Sequence, residues 1–246
     1  MKLSNNTIVI TGGATGIGLE LARRLLELNN VVIICSRSEK KLYQAKSMYP
    51  KLDFHCCDVS DPASIKTFMV WLEKSHPASN VLINNAAMVH KTQFFEDREM
   101  ESKAEIEIKT NLLGPIVMSK QFHNRFGHNP DCNLINITTG LVYAPKKTYP
   151  IYNACKSALH SFTQTLRLQE AHHDIKIKEI LLPVVDTPWH QGTVPKMAIS
   201  AYTAVQEIIK ELKTGKEEIK IGKVKLLYWL HRIAPFLAIK RINKTA

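Results

Sequence analysis

Acidic residues are in short supply. The chain of 246 residues has 22 Asp and Glu against 33 Lys and Arg, a formal charge of +11. From Ile219 to Ala246 there is no acid at all beside seven Lys and Arg. A segment so unbalanced is either a solvated basic end or a contact for an anionic surface. Cysteine is sparse too: five residues, at 35, 56, 57, 132 and 155, with no C-x-x-C spacing. That odd set argues against a disulfide framework or a zinc site; no metal is expected, and reduced thiols in the cytoplasm fit better. Cys35, Cys56 and Cys57 close apolar runs and read as core fillers. Repeats, low-complexity tracts and long linkers are missing, so a single α/β domain is expected. Met1 to Asn6 lack the apolar region of a signal peptide, and secretion is not expected.

What is present begins at Thr11, where the chain reads T-G-G-A-T-G-I-G through Gly18. The run lies between the apolar Ile8-Val9-Ile10 and a helical pattern of Leu19, Leu21, Ala22, Leu25 and Leu26. Gly12 suits a tight turn, Gly16 lets backbone approach a pyrophosphate, and Gly18 lets the helix pack on the strand. The helix N-terminus offers unpaired N–H groups to phosphates. Val31 to Ile34 follow as a buried strand and complete a βαβ unit.

The same alternation continues. Strands are predicted at Thr7–Thr11, Val31–Cys35, Asp53–Cys57, Val81–Asn84, Cys132–Thr138, Ile175–Leu181 and Glu218–Ile221, with helices near 16–28, 39–48, 61–75, 99–124, 153–171 and 197–213. This predicts an α/β fold: a Rossmann-type doubly wound parallel sheet of about seven strands, with helices on both faces. Sites in such sheets form at the carboxyl ends of the strands. Polar or unusual residues stand at five of those ends: Ser36-Arg37, Asp58-Val59, Asn84 to Ala87, Thr138-Thr139 and Pro183 to Thr187.

Tyr152 and Lys156 stand at i and i+4 of one helix face, 13 residues beyond Thr139. A phenol of ordinary pKa near ~10 is a poor base at neutral pH. A neighbouring ammonium favours the phenolate and is expected to lower that pKa. The phenol can then exchange a proton with a carbonyl or alcohol oxygen.

The glycine run and Y-N-A-C-K together resemble the short-chain dehydrogenase/reductase family over nearly the whole chain. The P-x-V-D-T form at Pro183–Thr187, with I-K-I-G-K and L-H-R-I-A-P near the end, resembles its DltE-like bacterial branch. The resemblance implies catalytic roles for Asn111, Thr139, Tyr152 and Lys156. The family places a serine where Thr139 stands, whose hydroxyl can still bond a substrate oxygen. Asn111, in K-T-N-L-L-G, matches a mid-helix asparagine that bends the helix and holds a water in a proton relay. Cofactor contacts are implied at Thr11, Gly12, Gly13, Thr15, Gly16, Ile17, Gly18, Asp58, Val59, Asn84, Asn85 and Ala86, with Tyr152 and Lys156. Val185 and Thr187 are carried over for the nicotinamide amide, although Pro183 stands where glycine is usual and removes an N–H.

NAD-preferring members end the second strand with an acid. Here Ser36 and Arg37 stand instead, able to meet a 2′-phosphate, so NADP(H) is expected, with NAD(H) possible because Glu39 is near. The implied activity is hydride transfer between nicotinamide and a small-molecule carbonyl or secondary alcohol, in a homodimer or homotetramer. The alternative is a cofactor-binding regulatory or membrane-associated accessory protein with weak catalysis. Nucleic acid is not an expected partner, since no recognition motif accompanies the charge. Residues 188–196 are expected to cover the substrate. The domain is taken as 1–222, with 223–246 a basic apolar extension. Its apolar stretch is too short to span a bilayer and is interrupted by Arg232 and Pro235. The extension can pack on its own domain or a second subunit, lie on an anionic membrane, or be a partner-binding or disordered tail.

Overall fold

Strand β1 (Thr7–Thr11) occupies the middle of the sheet, and its alternating side chains show why both faces are covered. Ile8 and Ile10 point into one core with Leu21, Leu25 and Ile208, while Val9 points into the other with Ile33, Phe68 and Phe122. A strand buried on both sides reads as a continuous apolar run. The computed structural model describes residues 1–171, 174–187, 195 and 197–244.

The other strands are β2 (Val31–Ser36), β3 (Asp53–Cys56), β4 (Val81–Asn84), β5 (Asn133–Thr139), β6 (Lys176–Leu182), the two-residue pair β7 (Val185–Asp186) and β8 (Ile199–Ser200), and β9 (Glu218–Lys220). Seven of them form one parallel sheet in the order β3-β2-β1-β4-β5-β6-β9. The helices are α1 (Gly16–Glu27), α2 (Glu39–Met48), α3 (Pro62–Ser75), α4 (Met100–Ile108), α5 (Gly114–Phe126), α6 (Pro150–Gln169), α7 (Ala201–Leu212), α8 (Val224–Ile233) and α9 (Pro235–Asn243). Polar caps start several of them: Ser38 accepts from the Lys41 N–H at 3.4 Å, Asp61 from Ala63 at 2.9 Å and Ser200 from Thr203 at 3.0 Å.

The seven strands of the main sheet agree with prediction within a residue; the short pair β7 and β8 was not expected, and β8 takes the start of the helix predicted near 197–213, which begins at Ala201. Helix α6 starts earlier than expected, because Pro150 supplies a first position whose missing N–H costs nothing there. The long helix expected near 99–124 is interrupted by a π-helical turn, Lys109–Leu113. Cys35 and Cys57 are buried as expected, but Cys56 is exposed at the edge strand β3 and fills no core. All five cysteines are free thiols. Among the described residues, no helix is long and apolar enough to cross a membrane.

The chain end is folded. Val224 joins Tyr143 and Leu181 in a small core, with Leu227 and Tyr228 packed on it. A side chain at Gly140 would reach Val224 at 3.0 Å, so α8 lies directly on the turn after β5. Asn243 of α9 accepts from the Lys147 N–H at 2.8 Å and donates to the Pro145 carbonyl at 3.0 Å. The two last helices thus clasp the segment between β5 and α6.

Candidate active site

The glycine turn is built by close contact. Gly12 and Gly16 take positive φ of 63° and 56°, conformations that favour glycine. A Cβ on Gly18 would meet the Gly12 carbonyl at 2.5 Å, and one on Gly13 would strike Ile34. Thr11 fastens this turn to the end of β4: its hydroxyl accepts from the N–H groups of Asn85 and Ala86, both at 3.0 Å. Asn85 returns two bonds, to the Thr11 and Gly12 carbonyls at 2.9 and 3.2 Å. Thr15 caps α1 with extended backbone but no side-chain bond, and no acid occupies the first turn, where Ile17 sits. The turn therefore presents open N–H groups and a positive helix end, which fits a pyrophosphate.

The remaining nucleotide-side residues lie along the same strand ends. Arg37, just past β2, is exposed and pairs with no acid among the described residues, while the Ser36 hydroxyl accepts from the Ser38 N–H at 3.3 Å. Asp58 accepts from the Ser60 N–H and hydroxyl at 2.9 and 2.7 Å, so part of its carboxylate is spent locally. A side chain at Gly114 would meet the Val59 carbonyl at 2.6 Å, which sets Val59 against the start of α5. Val185 is buried in β7, paired in register with Ile199, and Thr187 follows it. Residues 188–194 and 196, expected over the substrate, lie outside the described residues.

Asn84 behaves differently from a ligand contact. It is buried, and its amide donates to Asn136 at 2.8 Å and Ser119 at 3.1 Å. Asn136 continues the chain to Thr163 of α6 at 2.8 Å. Asn84 thus braces β4, β5, α5 and α6 from inside the sheet. Asn111 lies in the π-turn, wholly buried, and grips Met88 twice: it accepts from the Met88 N–H and donates to its carbonyl, both at 2.8 Å. Its side chain pins the segment after β4, using one of its two N–H groups and one lone pair of its oxygen.

Tyr152 and Thr139 meet. The phenol is hydrogen-bonded to the Thr139 side chain, which also accepts from the Leu141 N–H at 3.3 Å. Lys156 is buried beside them, its Nζ 6.0 Å from the Tyr152 ring centre and 2.9 Å from the Ile137 carbonyl that accepts its bond. The expected lowering of the Tyr152 pKa is not found here. Burial raises it well above the ordinary value, Glu107 and Tyr149 add to the rise, and the Thr139 bond opposes it. Lys156 bonds the strand backbone instead of the phenol, and burial lowers its own pKa to about 8.

Three residues here carry no sequence signal. Glu107 of α4 is buried, accepts from the His90 N–H at 2.7 Å and bonds the His90 ring at 2.9 Å. Burial raises the Glu107 pKa. The Tyr149 ring stands 6.4 Å from that of Tyr152, nearly perpendicular. Behind the site, the buried Glu179 of β6 bonds Thr138, His160 at 2.8 Å and Arg167 at 3.4 Å, locking α6 to the sheet. The Glu107 and Glu179 contacts join residues 12 to 41 positions apart, so no local motif announces them; Tyr149 is a near neighbour of Tyr152, but no motif marks it.

Comparison with known proteins follows the same outline. The family model for short chain dehydrogenases matches residues 6–198. The uncharacterized oxidoreductase DltE of Bacillus subtilis is 40% identical over 229 residues, covering 91% of each chain. The (S)-benzoin-forming benzil reductase of Bacillus cereus is 28% identical over 218 residues, with 85% of this chain and 87% of that one covered. A short chain dehydrogenase of Burkholderia cenocepacia, solved in complex with NADP, superposes with a TM-score of 0.87 over 98% of this chain and 99% of its own. At 21% identity that likeness speaks for the fold.

Proposed function

This chain belongs to the short-chain dehydrogenase family, in its DltE-like branch, and from that premise we propose that it reduces a small-molecule carbonyl with NADPH, Tyr152 giving the proton. Membership makes it an NAD(P)-dependent oxidoreductase acting between C=O and CH–OH groups. The observation that carries the reading is geometric: the buried Tyr152 phenol meets Thr139 at the carboxyl end of β5, with Lys156 one turn further along α6. A phenol that holds its proton is suited to give it to a carbonyl oxygen on which negative charge develops.

The residues fit a phosphorylated dinucleotide. The open N-terminus of α1 after Gly12 and Gly16 suits the pyrophosphate, and the unpaired Arg37 suits a 2′-phosphate. The relative from Burkholderia cenocepacia was solved with NADP, which supports the same choice. Bound NADPH would supply the hydride. Thr139 holds the substrate oxygen and Tyr152 protonates it. Lys156, freed from Ile137, would steady the site as a cation. The benzil reductase relative supports a ketone as the substrate class. Assembly as a homodimer or homotetramer is part of this reading, supported by exposed Leu113 and Leu168 on the π-turn and α6. Five free thiols support a reducing cytoplasm as the location.

The test is a panel of carbonyls and secondary alcohols with each nicotinamide cofactor, read at the cofactor absorbance, for the protein and Tyr152→Phe. Turnover of the best substrate should fall by roughly a hundredfold or more in the variant, with cofactor affinity retained. Near-normal turnover would remove Tyr152 from the chemistry.

A further inference from the structure

Helices α8 and α9 have two unlike sides. One is buried through Val224 and Ala238 and packs Leu227 and Tyr228 against Tyr143. The other leaves large apolar groups in solvent: Leu226, Trp229 and Ile233 at i, i+3 and i+7 of α8, then Phe236 and Leu237 at the start of α9. Ile233 is 82% exposed and Phe236 is 73% exposed. Five such side chains in 12 consecutive residues form a stripe, unlike the scattered apolar residues of an ordinary surface.

Charge decides what covers the stripe. Two of the seven cations from residue 219 onward are already paired: Lys220 with Glu218, and Lys225 with Glu207 and Glu211. Lys223, Arg232, Lys240, Arg241 and Lys244 pair with no acid among the described residues and are exposed. An exposed apolar stripe flanked by unpaired cations is complementary to an anionic lipid bilayer, which accepts apolar side chains below a layer of negative headgroups. A second copy seated face to face across a twofold axis would bring the same five cations against themselves. Neither helix, at 10 and 9 residues, is long enough to span, so contact would be in the interfacial plane.

We infer that the outer face of α8 and α9 docks this protein on an anionic bilayer, with Leu226, Trp229, Ile233 and Phe236 inserted and the unpaired cations on the headgroups. The same helices hold Pro145 and Lys147, so docking sets the segment leading to Tyr152 next to the lipid surface. The loop carrying exposed Phe94 and Phe95 is its neighbour, since the Thr92 N–H bonds the Thr148 carbonyl at 3.2 Å.

The experiment uses the full-length protein, Ile233→Glu and the double variant Lys240→Glu/Arg241→Glu, sedimented with vesicles of mixed phosphatidylglycerol and phosphatidylcholine or of phosphatidylcholine alone. All three positions are exposed, and a shared melting temperature and hydrodynamic size check that the fold is kept. Docking predicts binding to the anionic vesicles that weakens at high salt. The charge variant should lose at least roughly twentyfold in affinity, on a scale of about fivefold per cation. Ile233→Glu should lose about tenfold or more. Absence of binding, equal binding to phosphatidylcholine, or full binding by Ile233→Glu would overturn the inference. A wild-type oligomer that dissociates in Ile233→Glu would overturn it in favour of a second copy.

Discussion

Arg37 follows β2 with an exposed guanidinium where an acid would select against a 2′-phosphate. A charged hydrogen bond is worth about 1.5–3 kcal/mol. Arg37→Ala should therefore weaken NADP(H) by roughly ten- to a hundredfold, with NAD(H) barely changed; direct titration of both cofactors checks this. Equal losses would show that Arg37 does not read the phosphate. Lys156 makes a prediction through pH. Burial puts its folded pKa at about 8, below the ordinary value of 10.5. The unfolded chain thus binds more protons than the folded one between about pH 8 and 10, and stability from this group rises with pH across that window. Below pH 8 both states hold the proton and the contribution is constant. Above about pH 10 Tyr152 acts in the opposite sense, since its raised pKa makes the folded state the better proton holder. The stability of wild type relative to Lys156→Met should increase by roughly 2–3 kcal/mol from pH 7.5 to 10, measured by urea unfolding. A flat difference would mean that Lys156 is solvated. Tyr152, Lys156 and Thr139 were legible as a set from spacing and family resemblance. The sense of the Tyr152 shift was not, because it depends on where Lys156 points and on Glu107, 45 residues away.

Among the elements, the interrupted helix from α4 to α5 shows how a local irregularity serves a distant loop. The π-turn carries Asn111, whose amide makes a reciprocal pair of bonds with Met88. Removing it leaves a backbone N–H and a carbonyl without partners, at a cost of about 1–3 kcal/mol each. Asn111→Ala should lower the thermal unfolding midpoint and reduce turnover, since the segment from Asn85 to His90 loses its anchor. An unchanged midpoint would show that Glu107 and His90 hold that segment unaided. The central strands β1, β2 and β4 were readable because burial on both faces makes them apolar runs, and errors at the ends of the seven sheet strands are single residues. The π-turn was readable only as a misplaced asparagine. Asn84 looked like a ligand contact in N-N-A-A, yet its amide turns inward to Asn136, a partner 52 residues along the chain. Such pairings belong to sheet order, which composition and periodicity do not specify.

Across the whole molecule, the last helices are part of the structure around the site as well as a surface. Ending the chain after Gly222 removes Val224 from the core beside Tyr143 and frees Lys147 and Pro145 from Asn243. The sheet should survive, with far-UV circular dichroism still of α/β type. The melting temperature should drop and turnover should fall by roughly ten- to a hundredfold through misplacement of α6. Full activity in the truncated protein would mean that the clasp has no part in placing Tyr152. The strand order also bears on how the protein is made. From β1 the sheet grows outward on one side by β2 and β3, then on the other by β4, β5, β6 and β9. Each strand thus meets an exposed edge already laid down, and none has to be inserted between two that have paired. A ribosome delivering about 5–20 residues per second hands the sheet its strands in the order in which they dock. The final edge closes only when Glu218–Lys220 emerges, and the two helices that clasp Pro145 and Lys147 follow it.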